Sequence, residues 1–142
     1  MSASGPRLQR IAGTLRPAPN DRLEIRDDPR KGRGIFARLP IATGTIIENA
    51  PVIIVSPEHC AALDRTILHD YYFNWDGEAD GDGTGAVALG LVSLCNHSRR
   101  PRARVRRNVS QNTLDLIALA PIAAGDEVTI DYNCALWFEP QD

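Results

Sequence analysis

The sequence predicts a mostly β fold assembled from many short strands. Three observations carry this. Apolar and polar residues alternate with a strand's period in Leu23-Glu24-Ile25-Arg26 and in Glu127-Val128-Thr129-Ile130-Asp131-Tyr132. Ten prolines and eleven glycines punctuate the chain along its length. No long stretch repeats with a helical period.

In chain order, residues 1–20 hold Pro6, Pro17 and Pro19 among small and basic residues, and read as an N-terminal tail. The domain spans 21–138, and 139–142 form a short C-terminal tail. Leu23 to Arg26 is the first strand. Asp27 to Gly34 has turn chemistry, with Asp-Asp-Pro followed by Gly-Arg-Gly. Ile35 to Leu39 resumes as a strand. Thr45 to Val55 is rich in Ile and Val but contains Pro51, which predicts two strands or a bent one. Ser56-Pro57-Glu58 starts a short helix ending near Leu63, with a hydroxyl N-cap and Pro in the first turn. Trp75 to Gly85 is a Gly- and Asp-rich loop, and Val87 to Leu94 is apolar. Arg102, Arg104 and Arg106 alternate with Ala103 and Val105, a strand with one basic face. Leu114 to Ala118 and Glu127 to Tyr132 complete the set. Pro40-Ile41-Ala42-Thr43-Gly44 is echoed 81 positions later by Pro121-Ile122-Ala123-Ala124-Gly125. This predicts either two related β units around a central site or two common turns.

Bulk properties narrow the function. The 142 residues fit one domain, which buries roughly two thirds of its unfolded surface. A net charge of −2 marks neither a nucleic-acid nor a membrane binder. No apolar run approaches the ~18 residues of a membrane span. The N-terminus has no signal-peptide core, so a cytoplasmic location is expected. Cys60, Cys95 and Cys134 are odd in number and form no Cys-x-x-Cys pair. This argues against a disulfide framework and a cysteine zinc site. His59 and His69 have no ligand spacing with His97, so no metal is expected.

Three constellations can carry chemistry. In Lys31-Gly32-Arg33-Gly34-Ile35-Phe36, two glycines let backbone approach a ligand, or simply close a tight turn. No third glycine opens a helix, which excludes a dinucleotide fingerprint. In Asn96-His97-Ser98 the amide offers a donor and an acceptor, and His97 reads as buried and hydrogen-bonded, or the three residues simply form a polar turn. Tyr132 ends its alternating segment, and with Tyr71 and Tyr72 it could line a channel suited to a cation or a lysine stem, or pack in the core. Two further features are weaker. The loop of Asp76, Glu78, Asp80 and Asp82 imitates a calcium loop, but Val87 stands where the closing Glu belongs. The run Arg99, Arg100, Arg102, Arg104, Arg106, Arg107 lacks interleaved aromatics and reads as a charged strand edge rather than a nucleic-acid site.

Taken in order, four segments resemble the SET-domain protein lysine methyltransferases. They are Gly32-Arg33-Gly34-Ile35-Phe36-Ala37, Asp70-Tyr71-Tyr72-Phe73, Asn96-His97-Ser98 with Pro101, and Glu127 to Tyr132. The chain is similar to the minimal SET proteins of bacteria and large viruses, without flanking zinc modules. The resemblance implies several small β-sheets and a pseudoknot-like threading of the C-terminal segment past the Asn96 loop, a departure from the usual avoidance of threading. It implies S-adenosylmethionine as methyl donor and a protein lysine as acceptor. Gly32, Arg33 and Gly34 would meet the donor's methionine part. Asn96 and His97 would hold its amine and adenine, through the Asn96 side chain and the His97 backbone. Tyr132 would be catalytic and touch the donor, Tyr71 would line the lysine channel, and Trp137 would cover the adenine. Arg99 stands where the family usually has Cys, Arg102 where it has a second Asn, and Leu136 where minimal relatives often carry an aromatic. The expected partner is a histone-like, nucleoid or ribosomal protein. Nucleic acid is met only indirectly, no membrane is involved, and a homodimer is left open. The competing reading is a catalytically weak or inactive SET-like β module acting as a protein- or nucleic-acid-binding adaptor, which need not bind S-adenosylmethionine.

Overall fold

Leu23–Asp28 (β1) and Gly32–Ala37 (β2) form an antiparallel hairpin in which Leu23 faces Ala37 and Asp28 faces Gly32. The structure, a computed structural model, describes residues 20–75 and 83–132. Most of the predicted N-terminal tail, the acidic loop residues Asp76, Glu78, Asp80 and Asp82, and Cys134, Leu136 and Trp137 lie outside the described residues. The hairpin turn is tighter than the sequence suggests. Asp28 Oδ1 accepts hydrogen bonds from the backbone N–H of Arg30 (2.7 Å) and Lys31 (3.1 Å). Gly32 then takes φ +81°, a region costly for other residues. The expected turn through Gly34 therefore closes by Lys31, and Gly32-Arg33-Gly34 forms the first half of β2.

A second sheet holds five antiparallel strands in the order β4-β5-β3-β7-β6. They are β3 (Ile46–Val55), β4 (Phe73–Asn74), β5 (Gly85–Ala88), β6 (Ala103–Asn108) and β7 (Thr113–Ala118). Pro51 does not split β3. It stands where β3 changes partners: Ile46 to Pro51 pairs with β7, and Val52 to Val55 pairs with β5. The bend expected at the proline appears instead as an irregularity between Ile46 and Glu48. The one helix among the described residues, α1 (Pro57–Leu63), begins as predicted, with Ser56 accepting from the His59 N–H at 3.3 Å. The β6–β7 hairpin closes through Asn112 at φ 54°, a conformation that Asn tolerates.

The internal echo proves to be a paired element. Ile41 and Ile122 exchange both backbone hydrogen bonds, at 2.8 and 2.9 Å. Gly44 N–H donates to Ala118 O, and Gly125 N–H donates to Ala37 O, each at 2.8 Å. Both glycines take positive φ, +83° and +92°. The two turns are thus related by a local twofold, and each caps the strand end of the other's hairpin, Ala118 of β7 and Ala37 of β2.

The last alternating segment departs from expectation. Glu127 to Tyr132 forms no ladder strand. It makes isolated bridges, Phe36 to Glu127 and, in parallel, His97 to Ile130. Val128 N–H donates to Ile35 O (2.8 Å) on one side, and Ile130 N–H donates to Asn96 O (3.0 Å) on the other. The alternation arises because this segment runs through the core: Val128 and Ile130 are fully buried with Ile35, Val92, Leu114, Leu116 and Ile122. It lies between β2 and the Asn96 loop, the threaded arrangement that the sequence resemblance implies.

One polar cluster inside the large sheet is exposed to test. Asp115 of β7 is buried and accepts from Asn49 Nδ2 of β3 (2.6 Å) and Arg106 Nη2 of β6 (2.6 Å). Burial pushes its carboxyl up, but hydrogen bonds from Asn49, Arg106 and Asn108 outweigh this and hold it below the usual carboxylate value. A carboxyl with a depressed folded pKa stabilises the fold above its unfolded pKa of about 3.9, and the contribution is lost as pH falls below that. Asp115→Asn should lose roughly 1–3 kcal/mol in urea unfolding at pH 7. The gap to wild type should narrow at pH 3.

Candidate active site

The site begins with a carboxylate on β3. Glu48 accepts from the N–H groups of Leu91 (3.0 Å) and Val92 (2.8 Å), capping the 3₁₀ turn Leu91–Leu94. A Cβ on Gly90 would stand 2.8 Å from Glu48 Oε1 and 2.9 Å from Ala50 Cβ, so glycine is required for the carboxylate to reach. The capped turn delivers Cys95 and Asn96. Burial, with Glu48 and Glu127 nearby, pushes the Cys95 thiol up, so it stays protonated. Its carbonyl accepts the Tyr132 hydroxyl at 3.0 Å.

Glu127 ties the converging segments together. Its carboxylate meets Lys31 Nζ at 3.2 Å and Asn96 Nδ2 at 2.8 Å. The Lys31 and Glu127 side chains are only 10% and 11% exposed. Asn96 Nδ2 also donates to Arg33 O at 3.3 Å, which leaves its Oδ1 without a partner among the described residues. A Cβ on Gly34 would fall 2.7 Å from Glu127 Oε2 and 2.8 Å from Asn96 Nδ2. Arg102 donates to Glu127 O (3.0 Å), and its backbone N–H reaches Thr129 Oγ1 (3.3 Å). The basic run is largely exposed, as a charged strand edge would be, but part of it is tied into the fold. Arg102, Arg106 and Arg107 are each hydrogen-bonded within the fold.

His97 is buried, with Nδ1 accepting from the Tyr132 N–H at 3.2 Å. A neutral ring then carries its proton on Nε2, which is buried without a partner among the described residues. In the parallel bridge, Ile130 bonds to the residues on either side of His97. His97's own N–H and C=O therefore face the opposite way.

Two cavities meet here. One, about 220 Å³, is lined by Tyr71, Tyr72, Phe73, Val92, Ile130 and Tyr132 among others. The second, about 560 Å³, is lined by Lys31, Gly32, Arg33, Asn96, His97 and Tyr132 among others. Asp70, Tyr71, Ser93, Cys95 and Tyr132 border both. Asp64 stiffens the smaller cavity's rim by accepting from Tyr72 OH (2.6 Å) and pairing with His69 Nδ1 (3.0 Å). The Tyr72 bond, then His69, holds the Asp64 carboxyl low, while burial and Asp64 push the Tyr72 phenol up.

Of the residues singled out in the sequence, Gly32, Arg33, Asn96, His97 and Tyr132 border the larger cavity. Gly34 backs onto its Glu127–Asn96 wall, and Tyr71 and Tyr132 border both cavities. Trp137 lies outside the described residues. Sequence reasoning assigned no role to Lys31, Glu48, Cys95 or Glu127. A signal existed for one of them: Lys31 is the only lysine among sixteen Lys and Arg residues. Glu48 and Glu127 sit in otherwise ordinary β patterns, and only the tertiary structure shows what their carboxylates reach.

Comparison with known proteins agrees with this architecture. The family model described as "SET domain" matches residues 32–133. The chain is 38% identical over 120 residues to a histone-lysine N-methyltransferase of Schizosaccharomyces pombe, H3 lysine-37 specific, covering 84% of this chain and 78% of that protein. It is 32% identical over 121 residues to the histone-lysine N-methyltransferase ash1 of Drosophila melanogaster, covering 79% of this chain but 5% of that protein. Among solved structures, one from Plasmodium falciparum assigned as a histone methyltransferase superposes with TM-score 0.63 at 25% identity, covering 82% of this chain and 97% of the other. The Neurospora SET domain protein DIM-5, a histone lysine methyltransferase, superposes with TM-score 0.62 at 19% identity, covering 84% of this chain and 55% of DIM-5, which speaks to the fold. A family match spanning most of the chain, on a fold that threads Glu127–Tyr132 past the Asn96 loop, makes this protein a member of the SET-domain family.

Proposed function

We propose that this chain transfers a methyl group from S-adenosylmethionine to the side-chain amine of a lysine on a protein substrate. The observation that carries this is the pair of cavities sharing the Tyr71, Cys95 and Tyr132 wall. One donor and one acceptor, each in its own cavity, would meet at the shared Tyr132 wall.

The larger cavity fits the donor. Asn96 Oδ1 can accept from its amine, because Glu127 and Arg33 already take the amide's N–H groups. The outward N–H and C=O of His97 match the donor–acceptor edge of adenine. Gly32, on the wall of this cavity, allows the methionine portion to lie close to backbone, while Gly34 leaves room for the Glu127–Asn96 pair behind it. When bound, S-adenosylmethionine supplies a sulfonium methyl: the amine's lone pair forms the new N–C bond, and the C–S bond breaks to leave a thioether.

The smaller cavity fits a lysine stem. Free lysine has a pKa near 10.4 and must lose its proton to attack. Tyr71, Tyr72 and Phe73 line this channel, and aromatic walls that shed water as the lysine stem enters would disfavour the ammonium form, so a dedicated strong base is not needed. The residues mainly hold nucleophile and methyl in line. The Tyr132 hydroxyl donates to Cys95 O, which fixes the phenol on the wall shared by the two cavities, where its oxygen would face the polarised methyl for weak C–H···O contacts. The Schizosaccharomyces and Drosophila relatives are named for histone lysines. A basic tail of histone type is accordingly the first acceptor class to test, with nucleoid and ribosomal proteins beside it.

Tyr132→Phe should lose about 10- to 100-fold in labelled methyl transfer, the scale of one positioned polar contact, while calorimetry still records donor binding. Transfer at the wild-type rate would remove Tyr132 from the mechanism. Gly34→Ala should weaken donor binding at least about tenfold, because its methyl would displace the Glu127–Asn96 pair. Unchanged calorimetric affinity would show that the pair does not shape the donor cavity.

A further inference from the structure

Resting on that reading, we propose that Ile67 and Leu68 form a recognition surface for an apolar side chain two or three residues from the acceptor lysine. The two residues open the 3₁₀ turn Ile67–Tyr71 and are 82% and 50% exposed. Their neighbours in the same turn, His69, Asp70 and Tyr71, line the smaller cavity. The aliphatic pair therefore continues the rim of the acceptor channel.

Geometry fixes what can reach it. A 3₁₀ turn rises about 2.0 Å per residue, so the pair stands roughly 6–8 Å from Tyr71 along the turn. An extended peptide advances about 3.3–3.6 Å per residue. With a lysine threaded into the channel and the peptide running along this turn, the side chain two or three positions away comes level with Ile67 and Leu68.

The platform is stiff. Thr66 Oγ1 accepts from Leu68 N–H at 3.1 Å, and Asp64 grips both His69 and Tyr72. Ile67 is the most exposed of the large apolar residues described, and with Leu68 it stands on a braced turn beside the acceptor channel, which suits the pair to docking. The occupant is thus the substrate's own chain beside its target lysine, and the pair acts on choice of substrate rather than on methyl transfer itself.

The test is a panel of lysine peptides in which leucine or serine is placed at each of the four positions on either side of the lysine. Wild-type protein should favour leucine about tenfold in kcat/KM at a position two or three residues away. Ile67→Ser with Leu68→Ser should flatten that preference with donor affinity unchanged. Ile67→Glu should shift it toward a basic residue at the same position. A preference that survives these substitutions, or none at those positions in wild type, overturns the recognition surface while transfer itself continues. No transfer to any lysine substrate by wild type overturns the methyltransferase reading and this inference with it.

Discussion

The site depends on one chain segment being hydrogen-bonded on both sides. Residues 126–132 have Ile35 and Ala37 on one flank and Asn96, Ser98 and Ala103 on the other. Val128 and Ile130 fill the core between them. Burying two β-branched residues gives roughly 3–6 kcal/mol of apolar stabilisation, an upper bound set by the unfolded reference. Two of the site's polar anchors are suspended from this segment. Glu127 leaves its start to grip Lys31 and Asn96, and Tyr132 leaves its end to reach Cys95 O.

Around that segment, carboxylates do the positioning. Glu48 fixes the turn that presents Cys95 and Asn96, Asp64 fixes the turn that presents Tyr71, and Glu127 joins the hairpin turn to the Asn96 loop. Each carboxylate accepts two donors from chain elements that the sheets alone would not hold together. Charged hydrogen bonds of this kind are directional and about twice as strong as neutral ones. Hence a site made mostly of loops and short turns can keep a defined shape. The paired turns at Ile41 and Ile122 close the same structure from the far end, tying the β1–β2 hairpin to the β6–β7 hairpin.

Much of this was legible in the sequence where local chemistry decides. The Ser56-Pro57 helix start, the β6 and β7 alternation and the order of the four motifs all read directly. Pro51 misled because a proline can sit inside a strand where the partner changes, and no local pattern reports partners. Gly32-Arg33-Gly34 read as a turn because the Asp28 carboxylate that closes a shorter turn acts through geometry. Glu127 to Tyr132 read as a strand because a buried threaded segment shows the same alternation as a sheet. The echo at Pro40 and Pro121 was visible, but only the tertiary structure distinguishes paired turns from coincidence.

The central claim is that the threaded segment is core rather than loop, and native-state hydrogen exchange tests it most directly. The amides of Val128 and Ile130 donate to Ile35 O and Asn96 O. They should exchange only through global unfolding, with the same opening free energy as the amides between β3 and β7. If these two amides instead exchange through a low-energy local opening while β3 and β7 stay protected, the segment does not hold the two cavities together, and the account fails.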